Sequence, residues 1–150
     1  MLYLLRSGCS WEMLPHDFPS PDTVYYYFKQ WRNQKIFESM NTILREKLRM
    51  ASGRNKQPSA AILDSQSGKT TETRGERGFD AGKKVKGRKR HILVDTMGLL
   101  LAIVVHGAGI QDRDGAKMVL QKAKLSFTRL KRGLYRNRDC AGDGVLRRPG

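Results

Sequence analysis

The chain is short of acid. Its 150 residues hold 14 Asp and Glu against 29 Lys and Arg, a net charge of +15. A balance of that sign favours a polyanionic partner, nucleic acid before an anionic membrane surface. Cysteine is scarce too. Cys9 and Cys140 are far apart and lack a C-x-x-C or paired-His setting, which excludes a zinc site or a disulfide framework and suits a cytosolic protein. The three histidines, His16, His91 and His106, are scattered and do not form a ligand set. No apolar run approaches the ~20 residues of a spanning helix. The longest, "GLLLAIVV" at 98–105, is strand-length, so no membrane role is expected. The start has no basic segment and no small-x-small cleavage site, so it does not read as a secretory signal.

What is present supports folding. At 39% hydrophobic the chain can build a core, and its length suits one ordinary domain or a small one with part of another. Residues 1–52 read as helical. "LYLLRSG" is a short helix ending at Gly8, and the three prolines of "SWEMLPHDFPSP" leave room for at most one turn. "PDTVYYYFKQWRNQ" begins with Asp22 or Thr23 as a cap. Val24, Tyr27, Phe28 and Trp31 fall on one face. Tyr25, Tyr26, Lys29, Gln30 and Arg32 fall on the other. A second amphipathic run carries Ile36, Phe37, Met40, Ile43, Leu44 and Leu48. Short helices joined by a tight turn suit a helix-turn-helix reader of DNA. A plain helical bundle with an aromatic core is the alternative. The outward residues Tyr25, Tyr26, Lys29 and Arg32 are the candidate contacts.

Residues 53–59, "GRNKQPS", read as a linker. From Arg74 to Arg90 there are eight basic residues, two acids and four glycines. That density suits phosphate contact, through Lys83, Lys84, Lys86, Arg88, Lys89 and Arg90, although a solvated charge run would look similar. "HILVDTMGLLLAIVVH" at 91–106 is an antiparallel hairpin around an Asp95–Gly98 turn. The second of its strands is an interior one. "QDRDGAKMVLQKAK" is a helix, with Asp112 or Asp114 as cap and Ala116, Val119, Leu120 and Ala123 as the buried stripe. Helices, strand, basic loop, hairpin and helix make an α+β order. By position, a strand returning beside the first should come next.

That first strand poses the sharpest question. "AAILDSQSGK" at 60–69 is apolar up to Asp64 and polar beyond it. A strand-end acid is either a turn former or a metal ligand held at a sheet edge. The residues alone leave both open.

Three stretches resolve it by resemblance: "LRSGCSWEMLPHDFPSPDTVYYYFKQW", "AAILDSQSGKTTETRGERGFDAGKKVKGRKRHILVDTMGLLLAIVVHGAGIQDRDGAKMVL" and "KLSFTRLKR". Over residues 1–132 the chain resembles bacterial insertion-sequence transposases of the DDE class, in the branch with a DSQS motif. The resemblance implies a partial ribonuclease-H-like mixed sheet at 60–132 after an N-terminal helical DNA-recognition domain at 1–52. It implies that Asp64 is the first catalytic acid and a ligand of Mg²⁺ or Mn²⁺. Two such ions about 3.5–4 Å apart activate the attacking oxygen and stabilise the phosphodiester transition state. The implied partners are terminal-repeat and target DNA, with further copies of the enzyme, in a bacterial cytoplasm at the nucleoid.

From Gly133 the sequence departs from that family. An apolar strand ending in an acid-Gly-Gly-Tyr motif, with the second catalytic acid, is expected there. The chain reads "GLYRNRDCAGDGVLRRPG" instead, with four Arg and no Lys. Asp139 and Asp143 follow no apolar run. The stretch 133–150 therefore reads as an aberrant, frameshifted tail, and the third acid, a Glu on a later helix, is missing. The first helix of the N-terminal domain is also expected to be absent. Two functions follow: a transposase inactive as this chain, or a non-catalytic DNA-binding remnant that inhibits or pairs with full-length enzyme. Asp95 is expected to shape its hairpin turn, and Asp112 and Asp114 to cap a helix.

Overall fold

A computed structural model of the chain describes residues 1–70, 76–130, 132–136 and 144–147, the last two stretches as backbone strands. The chain divides into two compact units, Met1–Leu44 and Arg45–Gly150.

The first unit is helical. α1 (Leu2–Ser7) stops at Gly8, whose φ of 67° puts it in the left-handed region. A single 3₁₀ turn spans Trp11–Met13 among the prolines. α2 covers Pro21–Asn33. Its cap is Ser20, not Asp22 or Thr23: the Ser20 hydroxyl accepts from the Thr23 N–H at 3.4 Å. Pro21 takes the first helical position, where its missing N–H costs nothing, and this puts the cap at the residue before it. Gln34 and Lys35 turn the chain into α3 (Ile36–Ala51), whose residues from Arg45 on belong to the second unit. Aromatic rings hold the unit together. Trp11 meets Tyr25 at 5.2 Å and Phe28 at 5.3 Å, and Phe37 meets Phe28 and Trp31 at 6.0 and 6.1 Å. Tyr27, expected inside, is instead 53% exposed and rests on Tyr26. The 3₁₀ turn brings Trp11 against α2, and that contact draws in Tyr25 in its place.

The second unit is a mixed sheet with α4 on one face. Its strands are β1 (Ala60–Lys69), β2 (Gly78–Asp80), β3 (Val85–Asp95), β4 (Leu100–Gly107), β5 (Arg132–Arg136) and β6 (Gly144–Arg147). α4 (Asp112–Ser126) lies between β4 and β5 in the chain. The sheet order is β2-β3-β1-β5-β6, with β4 also paired to β3. β1–β3 and β3–β4 are antiparallel, and β5 returns parallel beside β1. The returning strand thus stands where element order placed it, although its sequence carries no apolar run. With its helical first unit, the chain is an α+β protein containing part of a ribonuclease-H-like fold.

Alternation builds the core. Ala61 and Leu63 of β1, Leu93 of β3 and Ala102 of β4 face Ala116, Val119 and Ala123 of α4. Burying a side chain such as Leu63 or Leu93 stabilises the fold by about 2 kcal/mol. The hairpin turn matches its expected chemistry. Asp95 Oδ1 accepts the N–H groups of Met97 and Leu99 at 2.8 and 2.9 Å. Gly98 takes φ 80°, which few other residues tolerate.

Three sequence expectations need correction in this unit. β1 does not end at Asp64 but runs on to Lys69, paired with β3 throughout. Ser, Gln and Gly carry little strand propensity, but backbone ladder bonds do not require apolar side chains. The capping role of Asp112 and Asp114 is not observed either. Gln111 stands at the cap position without a side-chain bond, and both acids point to cations instead. The basic stretch runs into strand at Val85, as its sequence suggests. The stretch 53–59 is packed: Pro58 is fully buried, and the Asn55 carbonyl accepts from Arg49 Nε at 2.7 Å.

Candidate nucleic-acid interface

A strand shows alternate side chains to opposite faces of its sheet. In β1 this sends Ala61, Leu63, Ser65 and Ser67 towards α4, and Ile62, Asp64 and Gln66 to the other face. The β1–β3 register sets Asp64 opposite Ile92, Gln66 opposite Arg90 and Gly68 opposite Arg88. Lys86 belongs to the same alternate set in β3. One face therefore carries Asp64 and Gln66 beside a row of Lys86, Arg88 and Arg90, continued on β4 by Ile103 and Val105. Asp64, Ile92 and Ile103 are half-buried there, and Gln66, Arg90, Lys86 and Val105 are exposed. A cleft of about 690 Å³ opens along Asp64, Gln66, Lys69, Arg88 and Arg90.

Two local bonds shape this face. The Ser65 N–H donates to Asp64 Oδ1 at 2.9 Å, fixing the carboxylate to its own strand. The Gln66 side-chain carbonyl accepts from Arg90 Nε at 2.8 Å and from a terminal nitrogen of the same guanidinium at 2.5 Å. Arg90 is thus held upright two residues along from Asp64. Arg136 of β5 pairs with Asp64 in the parallel ladder.

The face beneath α4 holds a different cluster. Lys89 is 3% exposed. Its ammonium donates to Asp80 Oδ2 at 2.9 Å, Asp112 Oδ1 at 2.7 Å and the Ile110 carbonyl at 3.1 Å. Ser67 donates to Asp80 at 2.6 Å and Ser65 to Asp112 at 3.1 Å. Lys83 completes the group, its N–H on Asp80 Oδ1 at 3.2 Å and its ammonium on the Ser65 carbonyl at 3.1 Å. Burial alone would raise both carboxyls. The Ser67 hydroxyl and Lys89 outweigh it at Asp80, and Lys89 and Ser65 outweigh it at Asp112, so both sit below the usual carboxylate range. Burial would likewise lower Lys89, but Asp112 and Asp80 hold it above its ordinary value. Next along the strand, the fully buried His91 stacks on His106 with ring centroids 5.0 Å apart. Burial, then His106, pull His91 down to about 4.

The candidate contacts therefore divide. Lys86, Arg88 and Arg90 share the Asp64 face. Lys84 is exposed in the turn before β3. Lys83 is half-buried and engaged with Asp80 and Ser65. Lys89 leaves the set of phosphate contacts: the alternation that exposes its neighbours buries it against two carboxylates. In the first unit, Tyr26, Lys29 and Arg32 are exposed on α2, and Tyr25 is exposed along one edge while packed on Trp11. Sequence reading missed Ser65, Ser67, Asp80 and the role of Asp112. The signal available was the two-residue period of "VKGRKRHILVD", which sorts Lys89 with His91 and Leu93.

Asp139 and Asp143 lie outside the described residues. Among the described residues, no group of three His, Cys, Asp or Glu side chains could hold a metal ion, and Asp64 is the sole acid of its face. Mg²⁺ takes carboxylates together with substrate oxygens and water, and two ions need more than one carboxylate between them. The described side chains do not fit a two-metal centre. No described helix is long and apolar enough to cross a membrane.

Residues 1–41 match the family described as "Putative transposase of IS4/5 family". Residues 55–144 match the family described as "Transposase DDE domain", which extends through β5. No curated protein and no solved structure matches the chain. The second match alone takes in more than half of the chain and contains Asp64, the β1–β3–β4 sheet and α4, and the chain belongs to the DDE class of insertion-sequence transposases.

Proposed function

We propose that this chain is the DNA-binding part of an insertion-sequence transposition system and that it holds DNA ends without cutting them. The observation that carries this reading is the row of Lys86, Arg88 and Arg90 on the face of Asp64. From Lys86 to Arg90 the strand advances roughly 14 Å at about 3.4 Å per residue. Over that length the row presents three cations to the phosphates of a DNA strand. Arg90, held by Gln66, offers its remaining N–H groups as a forked phosphate donor. Tyr26, Lys29 and Arg32 of α2 form a second basic and aromatic set in the helical unit, suited to a groove of terminal-repeat DNA.

The DDE class works with divalent metal ions. Asp64 is the residue of this chain that would hold one, as the acid of the DSQS motif on a rigid strand. With Asp64 the one acid of the face among the described residues, phosphodiester cleavage and strand transfer are not supported. A chain that binds ends and does not cut would compete with full-length transposase or join it as an inactive copy. It needs access to DNA, hence a place in the bacterial cytoplasm at the nucleoid.

The test is a single gel series on labelled terminal-repeat DNA, with Mg²⁺ or Mn²⁺, across a range of salt. The expected outcome is salt-dependent binding and intact DNA. Cut or joined products would overturn the non-cutting part. Absence of binding at low salt would overturn the reading as a whole.

A further inference from the structure

The motif D-S-Q-S has a division of labour that family membership does not explain. Asp64 and Gln66 look outward. Ser65 and Ser67 look inward, and each binds one carboxylate, Asp112 and Asp80. Those two carboxylates share one ammonium, that of Lys89. We infer that Lys89 is a positioning residue for the Asp64 face: through Asp112 and Asp80 it holds Ser65 and Ser67, and so sets how β1 presents Asp64 and Gln66. The inference rests on the reading of that face as the one that meets DNA.

The topology explains why such a clamp is needed. The described ladder between β1 and β5 ends at Asp64. From Ser65 onward, β1 pairs with β3 on one side. Among the described residues this stretch has one strand neighbour, and a strand paired on one side can twist and fray, so that outward residues on it lose their aim. The clamp supplies the second set of bonds. It joins β1, the end of β2 and the start of α4 at one buried ammonium, and Lys83 adds a bond to the Ser65 carbonyl. Serine suits positions 65 and 67, because a short hydroxyl reaches the carboxylates while adding no charge. The outward consequence is specific. The Ser65 N–H bonds Asp64, and Gln66, between the two serines, bonds Arg90.

The test uses those two outward bonds as reporters. In ¹⁵N-labelled full chain, the Ser65 amide reads Asp64 and the Arg90 Nε–H reads Gln66. The variants are Lys89→Met, Lys89→Arg, Ser67→Ala and, as comparator, Arg49→Met, which breaks a separate buried ion pair with Asp95. Lys89→Met and Ser67→Ala are expected to shift both resonances beyond the change at any β4 amide. Lys89→Arg should return them towards the wild-type positions, and Arg49→Met should lower the melting temperature without moving them. Should Lys89→Met fail to fold, Ser67→Ala decides, since it removes only a hydroxyl. Unmoved reporters in Ser67→Ala, or equal movement in Arg49→Met, would overturn the inference and leave Lys89 a stabilising residue only. Wild-type chain that binds no DNA would instead sink the DNA reading, with the reporters still judging the clamp.

Discussion

Arg49, in the last turn of α3, donates its guanidinium to the carboxylate of Asp95 at the end of β3, and both side chains are out of water. Asp95 also accepts the two N–H groups that close the hairpin turn. The carboxylate is therefore fully used, and removing its cation would leave a buried charge. Arg49→Met is expected to destabilise the chain by about 3–5 kcal/mol, the usual cost of breaking such a pair from one side. Urea melts measure it. Asp95→Asn in the Arg49→Met background should recover part of the loss, because it removes the orphaned charge while keeping a turn-forming oxygen.

Gly115 gives a second, opposite-looking case. In a helix, replacing Gly with Ala normally gains about 1 kcal/mol. Here an added Cβ would lie 2.1 Å from His91 Nε2 and 2.7 Å from His106 Nε2. Gly115→Ala is therefore expected to destabilise by about 1–3 kcal/mol, as overpacking does. In a double-mutant cycle, His91→Ala should reduce the cost of Gly115→Ala, the contact with His106 remaining; independent, additive effects would refute the contact.

The same histidine predicts a pH dependence. His91 is lowered to about 4 by burial and by His106, with Asp112 opposing and Lys89 and Lys83 adding to the fall. The unfolded chain binds that proton near pH 6.5. Between pH 6.5 and 4 the unfolded state holds more protons, so stability falls as pH drops through that window and is level above it. The loss is on the order of 3 kcal/mol for this group. Asp80 and Asp112, both held below the ordinary range, add to the loss only below about pH 4. His91→Gln should flatten the upper slope and leave the lower one, as read by melts at stepped pH.

Binding to DNA gives the fourth expectation. Replacing Lys86, Arg88 and Arg90 together by Gln should reduce the slope of log affinity against log salt by about 2.7, at about 0.9 per phosphate contact. Asp64→Asn should leave that slope alone and tighten binding at low salt, since it removes a negative charge from the face. A loss of binding in Asp64→Asn would mean that the carboxylate contacts DNA through something other than plain repulsion.

Local chemistry was readable where it decided the outcome alone. "HILVDTMGLLLAIVV" could hardly be other than a hairpin, because β-branched runs flank a turn pair. The α4 stripe of Ala116, Val119 and Ala123 follows from helical spacing. Pairings across long separations were not readable. Arg49 and Asp95 are 46 residues apart, Ser65 and Asp112 are 47 apart, and nothing in either neighbourhood names the other. Lys89 shows the limit most sharply. Its neighbours Arg88 and Arg90 look identical in composition, and only strand register sends the three to different faces. The extension of β1 past Asp64 was hidden because Ser, Gln and Gly are weak strand formers, held there by the β3 ladder.

That register makes β3 a strip written in alternate letters. Lys86, Arg88 and Arg90 spell one message outward; Gly87, Lys89, His91 and Leu93 spell another inward. A slip of one residue against β1 would transpose the two. Three cations would enter the space under α4, and the ammonium that balances Asp80 and Asp112 would leave it. Single-residue insertions or deletions between 85 and 91 should then abolish folding and DNA contact together, whereas point changes can separate them.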